Sequence, residues 1–494
     1  MLPLAGSALA PRRKRVWKGW NVMAFLKKHP VAGGHRGIDM NNGPILKNLL
    51  LFSIPMMLSG IVQLLFNAAD IAVAGQYIGD AELAAIGATA TLINLLVNLF
   101  VGVSVGVSVS LGRAYGSGDQ RKIHLLTHTA MFFSVLWGAV VSAISFFGAE
   151  TLLRLMQIPE HLLPLAVRYL RFYACGMVGS SLFNFGCAVL RATGNIRQPL
   201  YCLAISCGLN FVLNFVFVLG FDMGLDGVAL ATAISLWVMG LMIVVCMMRG
   251  NGQAKLSLRH LRLHGKTLGE ILGLGIPAGL QSIFLPLSNI VLQTYINAFG
   301  EVVIAANSAA CNVESIVYQA LVGFYHACMA FVSCNMGAGN WQRIRKIFRN
   351  SLCAVAVTGL VLGFGVILLG RPLLGMYTDS PEIIEQGRLR FMFTCTTYFI
   401  CGLMEVTVGA VRGLGSSVQP MIISVLGICG VRIAWVLAVF QTEQFCRVEF
   451  VYASYPLSWA VTLIAQGIWL FVLAKKLRQQ RNIPLYMFKA PKGE

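Results

Sequence analysis

The sequence predicts an all-α integral membrane protein with about twelve transmembrane helices, arranged as two six-helix bundles related by a parallel pseudo-two-fold repeat. Three observations support this: an apolar composition, a series of long runs almost free of charge, and an internal duplication. Of the 494 residues, 57% are hydrophobic and only 12% are charged, with a mean hydropathy of +0.73. Soluble domains carry about 25% charged residues, so lipid must be the solvent for much of this chain.

The apolar runs match the length of membrane-spanning helices. Runs such as 92–111 and 203–221 approach the roughly 20 residues that a helix needs to cross the hydrocarbon layer. The predicted spans are 45–75, 84–112, 123–148, 162–190, 199–220, 224–248, 268–299, 302–335, 346–370, 384–411, 420–441 and 449–474.

The two halves of the chain repeat each other. Pro55 pairs with Pro277, and after one slipped residue the repeat keeps an offset of 221, which pairs Gly79 with Gly300 and Arg191 with Arg412. Prolines, glycines and arginines in phase over so long a stretch are not expected by chance. Six spans per half is an even number, so both halves insert in the same orientation, as in the parallel type of transporter repeat.

The basic residues predict the topology and the domain limits. The net charge of +19 might suggest nucleic-acid binding, but Lys and Arg concentrate at the termini and in alternate short loops, which is the positive-inside pattern. We therefore expect a multi-pass protein of the plasma (inner) membrane with both termini in the cytoplasm, and no nucleic-acid partner. The predicted divisions are a basic tail at 1–41, a first lobe at 42–248, a cytoplasmic linker at 249–267, a second lobe at 268–476 and a tail at 477–494.

Asp70 is the clearest candidate for chemistry, because an ionisable group inside an apolar helix costs several kcal/mol unless it is paired or hydrated. It lies near the outer end of the first span, in the stretch LFNAADIAVAG. It is roughly 22 Å along the helix from Pro55, which removes a backbone hydrogen bond and permits a bend. Two interpretations stay open: Asp70 carries a proton or holds a cation, or it faces the outer headgroups.

Three polar residues are candidates to join Asp70. Asn210 and Asn214 are four residues apart and share one face of the fifth span, and Thr232 lies in the sixth. Their oxygens suit a small cation or a hydrogen-bond network around a carboxylate. The alternative is that each only bridges neighbouring membrane helices.

The second half contains further titratable groups. Glu314 in the eighth span, Glu405 in the tenth and His326 are candidate cavity residues, although His326 is equally consistent with hydrogen-bonded packing. Arg432 is the one basic residue that the pattern places deep in the membrane, and its partner is not identified.

The motifs of several enzyme classes are absent. The stretch GVSVG at 102–106 matches the nucleophile pattern of hydrolases, but it lies in the middle of an apolar helix, where small residues serve packing. No phosphate-loop, dinucleotide or zinc-protease motif occurs. We expect neither an enzyme nor a cofactor.

Six segments carry a resemblance to a known family. They are SIPMMLSGIVQLLFNAADIAVAG, GSGDQRK, AVLRATGNIRQPLY, GLNFVLNFVFVLGFDMGLDGVALATAIS, IAANSAACNVESIVYQALVGF and AVRGLGSSVQP. Together they resemble the multidrug and toxic compound extrusion (MATE) transporters, close to the prokaryotic branches, over roughly 42–476. The resemblance implies two six-helix bundles in a V around a central cavity, and the exchange of amphipathic organic cations for protons or sodium.

The resemblance also implies roles for particular residues. Asp70, Asn210, Asn214 and Thr232 match the positions of the family's ion or proton site, and Pro55 matches its bending proline. Asn214 stands where the family usually has Asp, which removes one negative charge and favours protonation of Asp70 over a sodium ion at these four residues. The second-lobe motif of the family is similar to NVES, which contains Glu314.

The expected function is therefore a monomeric antiporter that exports amphipathic compounds, with protons or sodium as the coupling ion and membrane lipids as its surroundings. A flippase for a lipid-linked precursor is the alternative, but anionic pyrophosphate lipids should demand several Arg or Lys in the cavity. A six-plus-six sugar porter lacks its usual Asp-Arg-x-Gly-Arg loop here. A membrane-embedded enzyme and a channel are the remaining alternatives.

Overall fold

The computed structural model describes residues 37–250, 252–440 and 447–480. Within these ranges the chain forms helices, turns and irregular segments, and no strand. Most of the predicted tails, at 1–36 and 481–494, lies outside the described residues.

Twelve helices of the described ranges are long and apolar enough to cross a membrane, which confirms the predicted fold class. In chain order, α1 to α12 span Ile45–Tyr77, Asp80–Ser117, Gln120–Phe147, Leu163–Ala192, Arg197–Gly220, Gly224–Arg249, Gly265–Asn297, Glu301–Gly337, Trp341–Leu368, Pro381–Gly413, Val418–Val439 and Val448–Gln479. Short helices at Ala149–Leu155 and Gly370–Gly375 follow α3 and α9. The final helix continues to Gln480.

The duplication is visible in the turns between helices. Gly118 and Gly339, 221 residues apart, both adopt a φ of 72°, a left-handed conformation that glycine adopts without steric cost. The next helices then begin in the same way. Asp119 accepts a hydrogen bond from the backbone N–H of Lys122, and Asn340 accepts one from Arg343, so each side chain caps the exposed amides of its helix.

The two lobes meet through α1 and α2 of the first lobe and α7 and α8 of the second. Small residues allow the backbones to approach closely, as is common where membrane helices pack. Gly102 lies directly over Gly279 in the middle of α2 and α7. Gly116 lies against Cys334, in the last turns of α2 and α8, where the basic loops begin. The lobes are therefore closed toward the basic-loop side.

The segment before α1 bridges the lobes on this side. The backbone N–H of Ile38 donates to Gly194 O of the first lobe, at 3.0 Å. In the second lobe, Asn335 Nδ2 donates to Met40 O at 2.8 Å and Arg343 Nη2 donates to Asn42 O at 2.8 Å. Residues 37–41, which the sequence places in the tail, are thus packed against both lobes: Ile38 donates to the first lobe, and the carbonyl of Met40 accepts from a buried amide of the second.

The linker between the lobes docks on the first lobe. The side chains of Ala254 and Leu256 are buried in the first-lobe core, and Leu256 N–H donates to Met247 O at the end of α6, at 3.1 Å. Further along, a 3-10 turn at Leu258–His260 leads toward α7.

Candidate functional site

Asp70 is buried inside the first lobe, with 5% of its surface exposed. Asn214 Nδ2 donates to Asp70 Oδ1 at 2.8 Å, and Thr232 Oγ1 lies 2.8 Å from Asp70 Oδ2. Asn210 completes the group, because its Nδ2 donates to Thr232 Oγ1 at 3.2 Å. The structure therefore brings together all four residues predicted from sequence, and it places Asp70 away from the outer surface of its lobe.

Three helices position these side chains. Asp70 lies in the C-terminal half of α1, Thr232 lies two turns into α6, and the two asparagines lie four residues apart on α5. Directly after Asn214, α5 changes to a π-helical turn at Val216–Gly220, a departure from regular helix that often occurs at functional sites. Pro55 lies inside the continuous helix α1, and its predicted bending role stays a prediction.

The hydroxyl of Thr232 lies close to two hydrogen-bond acceptors but can donate to only one of them at a time. Its oxygen lies 2.8 Å from Asp70 Oδ2 and 2.9 Å from Val228 O, yet a hydroxyl has one proton to donate. With Asp70 ionised, Thr232 donates to the carboxylate. With Asp70 protonated, the carboxyl donates to Thr232, which then donates to Val228 O. The network therefore fits both protonation states after the rotation of one hydroxyl.

Asn214 leaves one polar atom of the site without a partner. Its Oδ1 is buried and makes no hydrogen bond among the described residues, while its Nδ2 lies between Asp70 Oδ1 and Asn210 Oδ1, 3.5 Å from the latter. The two ends of an amide are assigned from the hydrogen-bond network. A turn of this amide would point Oδ1 at Asp70, where it could accept a hydrogen bond from the protonated carboxyl or serve as one oxygen ligand of a cation.

Two tyrosines missed by the sequence analysis complete the surroundings. Tyr169 and Tyr173 are buried on α4, within electrostatic range of Asp70. The i, i+4 spacing of two tyrosines in a membrane helix was a signal that could have drawn attention to them. None of the ion pairs among the described residues involves Asp70.

The second lobe buries a carboxylate in a different way. Glu314 on α8 forms two hydrogen bonds with Arg390 on α10, at 3.0 Å and 2.8 Å, and accepts a third from Thr394 at 2.6 Å. Arg390 also donates to Asn307 and lies over the rings of two tyrosines on α12. Both charged side chains are almost fully buried. Glu314 is therefore neutralised by an arginine.

The repeat relates the two sites. At the offset of 221, Arg390 corresponds to Tyr169 and Thr394 corresponds to Tyr173. The two lobes thus use the same two positions of α4 and α10 near a buried carboxylate. Only in the second lobe is one of these positions occupied by a cation.

The other predicted residues lie apart from these clusters. Glu405 on α10 accepts a hydrogen bond from Tyr318 on α8 at 3.2 Å. His326 is buried on α8, its ring is 4.8 Å from that of Tyr325, and its Nδ1 makes no hydrogen bond within the described ranges. The cavity role of both residues stays a prediction.

The prediction that Arg432 is the one deep basic residue is wrong, because two further arginines of the second lobe are buried. Arg432 is buried as predicted, where it donates to Asn289 at 2.9 Å and to Ser458 at 3.0 Å. Arg390 and Arg412 are buried as well. Arg412, at the end of α10, donates to Tyr325 Oη at 2.5 Å and to Gln281 Oε1 at 2.8 Å. The sequence pattern had placed both arginines near helix ends, which gave no sign that they point inward.

Twelve apolar spans in two repeated lobes are the layout of a membrane transporter. The MatE family model matches residues 55–216 and again 277–436, so the two matches begin at the paired prolines Pro55 and Pro277. The chain belongs to the MATE family of membrane transporters, which confirms the resemblance drawn from its motifs.

Known relatives support the same placement. A protein of Bacillus subtilis (strain 168) named probable multidrug resistance protein YoeA is 26% identical over 442 residues, which cover 87% of this chain and 95% of the relative. The same organism's probable multidrug resistance protein YpnP is 27% identical, with coverage of 83% and 90%. A solved structure described as the outward-facing conformation of a multidrug resistance MATE family transporter superposes with a TM-score of 0.83 at 20% identity, and covers 90% of this chain and 99% of the other.

Proposed function

We propose that this chain is a secondary active antiporter of the plasma membrane, with both termini in the cytoplasm, that exports drugs or other amphipathic organic cations in exchange for protons or sodium. The single observation that carries this proposal is the buried carboxylate of Asp70 among neutral partners. Several relatives are named as multidrug resistance or export proteins, which supports the substrate class. We further propose that the chain acts as a monomer.

The contacts of Asp70 favour a proton as the coupling ion. The carboxylate has two neutral hydrogen-bond partners, Asn214 and Thr232, and an ionised group at low dielectric without a cationic partner is costly. Proton binding removes this cost, and the Thr232 hydroxyl can rotate to accept the new donor. A sodium ion at the same residues is the second candidate, since Asp70, Asn210, Asn214 and Thr232 all supply oxygens.

The lobe contacts suggest how binding couples to export. The lobes are closed along the basic-loop side, which the charge pattern assigns to the cytoplasm. Asp70 lies in the opposite, outer half of α1, where an ion from outside would arrive in the outward-open state. Such an ion drives exchange only if it binds the outward- and inward-facing states with different affinity. Protonation of Asp70 changes the hydrogen bonds that join α1 to α5 and α6, so it provides such a difference.

The alternative of a flippase for a lipid-linked precursor has less support. Anionic pyrophosphate groups would require free cationic side chains. The three deep arginines of the second lobe are engaged: Arg390 with Glu314, Arg412 with Tyr325 and Gln281, and Arg432 with Asn289 and the ring of Tyr455.

The test is drug efflux from proteoliposomes under separately imposed proton and sodium gradients. We expect one gradient to drive ethidium transport by the wild type. Asp70→Asn should abolish this gradient-driven transport, because the amide takes up no proton and offers a sodium ion no negative charge. Glu301→Gln is the matched control, since Glu301 is an exposed carboxylate at the start of α8. Full gradient-driven efflux by Asp70→Asn would refute the proposal. Absence of efflux from folded wild-type protein would favour the flippase.

A further inference from the structure

Three histidines come together where the linker between the lobes lies on α3. His124 and His128 are four residues apart on α3, and His260 belongs to the 3-10 turn of the linker. One ring nitrogen of each lies within 4.8 Å of the others. The rings of His124 and His128 are stacked, with centroids 3.9 Å apart, and the ring of His260 packs edge-on, 5.5 Å from that of His124.

In two of these rings the Nδ1 atom is engaged by a neighbouring oxygen. His128 Nδ1 lies 2.8 Å from the carbonyl of His124, so Nδ1 carries the proton and Nε2 is an acceptor. His260 Nδ1 lies 3.1 Å from Ser257 Oγ. Metal-binding histidines characteristically have their second ring nitrogen held by a backbone carbonyl or another oxygen, which fixes the ring and its tautomer. In this structure His128 Nε2 accepts the N–H of Ser257 at 3.0 Å.

We propose that His124, His128 and His260 form a binding site for a transition-metal ion, best matched by Zn²⁺, which fastens the linker to α3. Zinc binds imidazole nitrogen at about 2.0–2.1 Å, so its ligand nitrogens lie about 3.3 Å apart in a tetrahedron. Small rotations of the exposed rings of His124 and His260 bring the nitrogens to that spacing. His128 exchanges the Ser257 N–H for the metal, and water fills the fourth position.

The surroundings select the class of ion. The cluster contains no carboxylate, and the neighbouring surface of α3 and the linker is basic, with Arg121, Lys122, Arg259 and Arg262 nearby in sequence. Mg²⁺ and Ca²⁺ require oxygen ligands and a favourable charge. Neutral imidazoles instead suit zinc, copper and nickel. The site is independent of the Asp70 group and of the proposed antiport.

The site joins two segments that are 132 to 136 residues apart in the chain. Besides the Ser257–His128 bond, the described linker touches α3 where Thr129 Oγ1 donates to Arg262 O, at 3.5 Å. A metal bridge from α3 to His260 would add bonds far stronger than these contacts. Bound metal should therefore hold the linker against the first lobe.

The first experiment is calorimetric titration of Zn²⁺ into the full chain, purified in detergent through a tag without histidine. We expect one ion per chain, and a loss of affinity of at least about tenfold in His124→Gln and in His260→Gln. Both residues are exposed, so these variants keep the fold. His264→Gln is the control, because His264 is exposed on the same linker and outside the cluster. Equal affinity in all variants would assign binding to other groups and overturn the proposal.

A second experiment tests the fastening. Trypsin can cut the linker after Lys255, Arg259 or Arg262, which are exposed, and this cut divides the chain into two fragments, one for each lobe. We expect Zn²⁺ to slow the cut in the wild type and in His264→Gln, but not in His260→Gln. Equal cleavage rates of the wild type with and without Zn²⁺ would show that the metal does not hold the linker against α3, even if the ion binds.

Discussion

The buried ion pair of the second lobe should be a structural element, and its energetics can be calculated from its contacts. In the variant Arg390→Met, Glu314 loses both arginine hydrogen bonds and keeps the one from Thr394. An uncompensated buried charge of this kind costs about 3–5 kcal/mol. We therefore expect the unfolding equilibrium constant to rise by about two to four orders of magnitude.

A double variant distinguishes the cost of an unpaired buried charge from the cost of lost packing. When Glu314→Met is added to Arg390→Met, no charge remains to be buried, and hydrophobic replacement of an ion pair is often neutral or stabilising. The double variant should therefore be more stable than Arg390→Met alone. Arg388→Met is the matched control, since Arg388 pairs with Glu385 at the surface of the same helix, and such pairs contribute about 0–1 kcal/mol.

The assay is reversible unfolding of the full chain in mixed micelles with increasing sodium dodecyl sulfate, followed by tryptophan fluorescence. We expect Arg388→Met to be slightly less stable than the wild type, and Arg390→Met to be far less stable than both. A structural role of the ion pair is refuted if Arg390→Met unfolds at the same detergent fraction as Arg388→Met, or if the double variant is no more stable than Arg390→Met alone.

Three further predictions concern the first lobe and the helix junctions. Asn214→Asp places a second carboxylate against Asp70, because Asn214 Nδ2 lies 2.8 Å from Asp70 Oδ1. Two adjacent carboxylates share a proton, so the pH profile of efflux should move to higher pH. An unchanged profile would contradict the contact between these two residues. Gly102→Val pushes a side chain into the backbone of α7 and should lower the free energy of unfolding by about 1–3 kcal/mol. Gly87→Val is the control, because a side chain there meets nothing within 4 Å, and it should melt like the wild type. Equal melting temperatures of the two variants would disprove the close approach of α2 to α7. Asn340→Ala removes the cap of α9 and should cost about 1 kcal/mol, a loss that Asn340→Asp should avoid in the same melting experiment.

The sequence predicted the architecture well because the signals for membrane helices are long and additive. Each span has some twenty apolar residues, and the repeat is confirmed by many positions in phase. The turn at Gly118 returns at Gly339 with the same φ, which shows that duplication preserved backbone conformation as well as residue type. The observed helix ends differ from the predicted ones by a few residues. The apolar pattern marks the part of a helix inside the membrane, whereas the helix itself ends at its capping residues.

Side-chain direction at helix ends could not be predicted in the same way. Arg388 and Arg390 are two residues apart, which is about 200° around a helix. One consequently pairs with Glu385 at the surface and the other points inward to Glu314. A charged stretch at the start of a helix looks alike in both cases, so the inner arginine was missed.

The grouping around Asp70 was predictable because each member carried its own signal. Asn210 and Asn214 share a helix face by spacing, and polar residues are conspicuous in apolar spans. The sequence could not predict the hydrogen bonds among them. In particular, it could not show that the Thr232 hydroxyl lies within hydrogen-bond distance of both Asp70 and Val228 O. The histidine cluster escaped notice for a related reason, since His260 joins His124 and His128 only through the path of the linker.

Whether Asp70 carries the coupling ion is tested most sharply by measuring the ion movement that a substrate gradient drives. Proteoliposomes containing a pH-sensitive or a sodium-sensitive dye are given an inward gradient of ethidium. If Asp70 has this role, we expect ion flux opposite to the substrate in the wild type and in Glu301→Gln, and none in Asp70→Asn. Ion flux of wild-type size in Asp70→Asn would contradict it, as would wild-type substrate movement without any flux of protons or sodium.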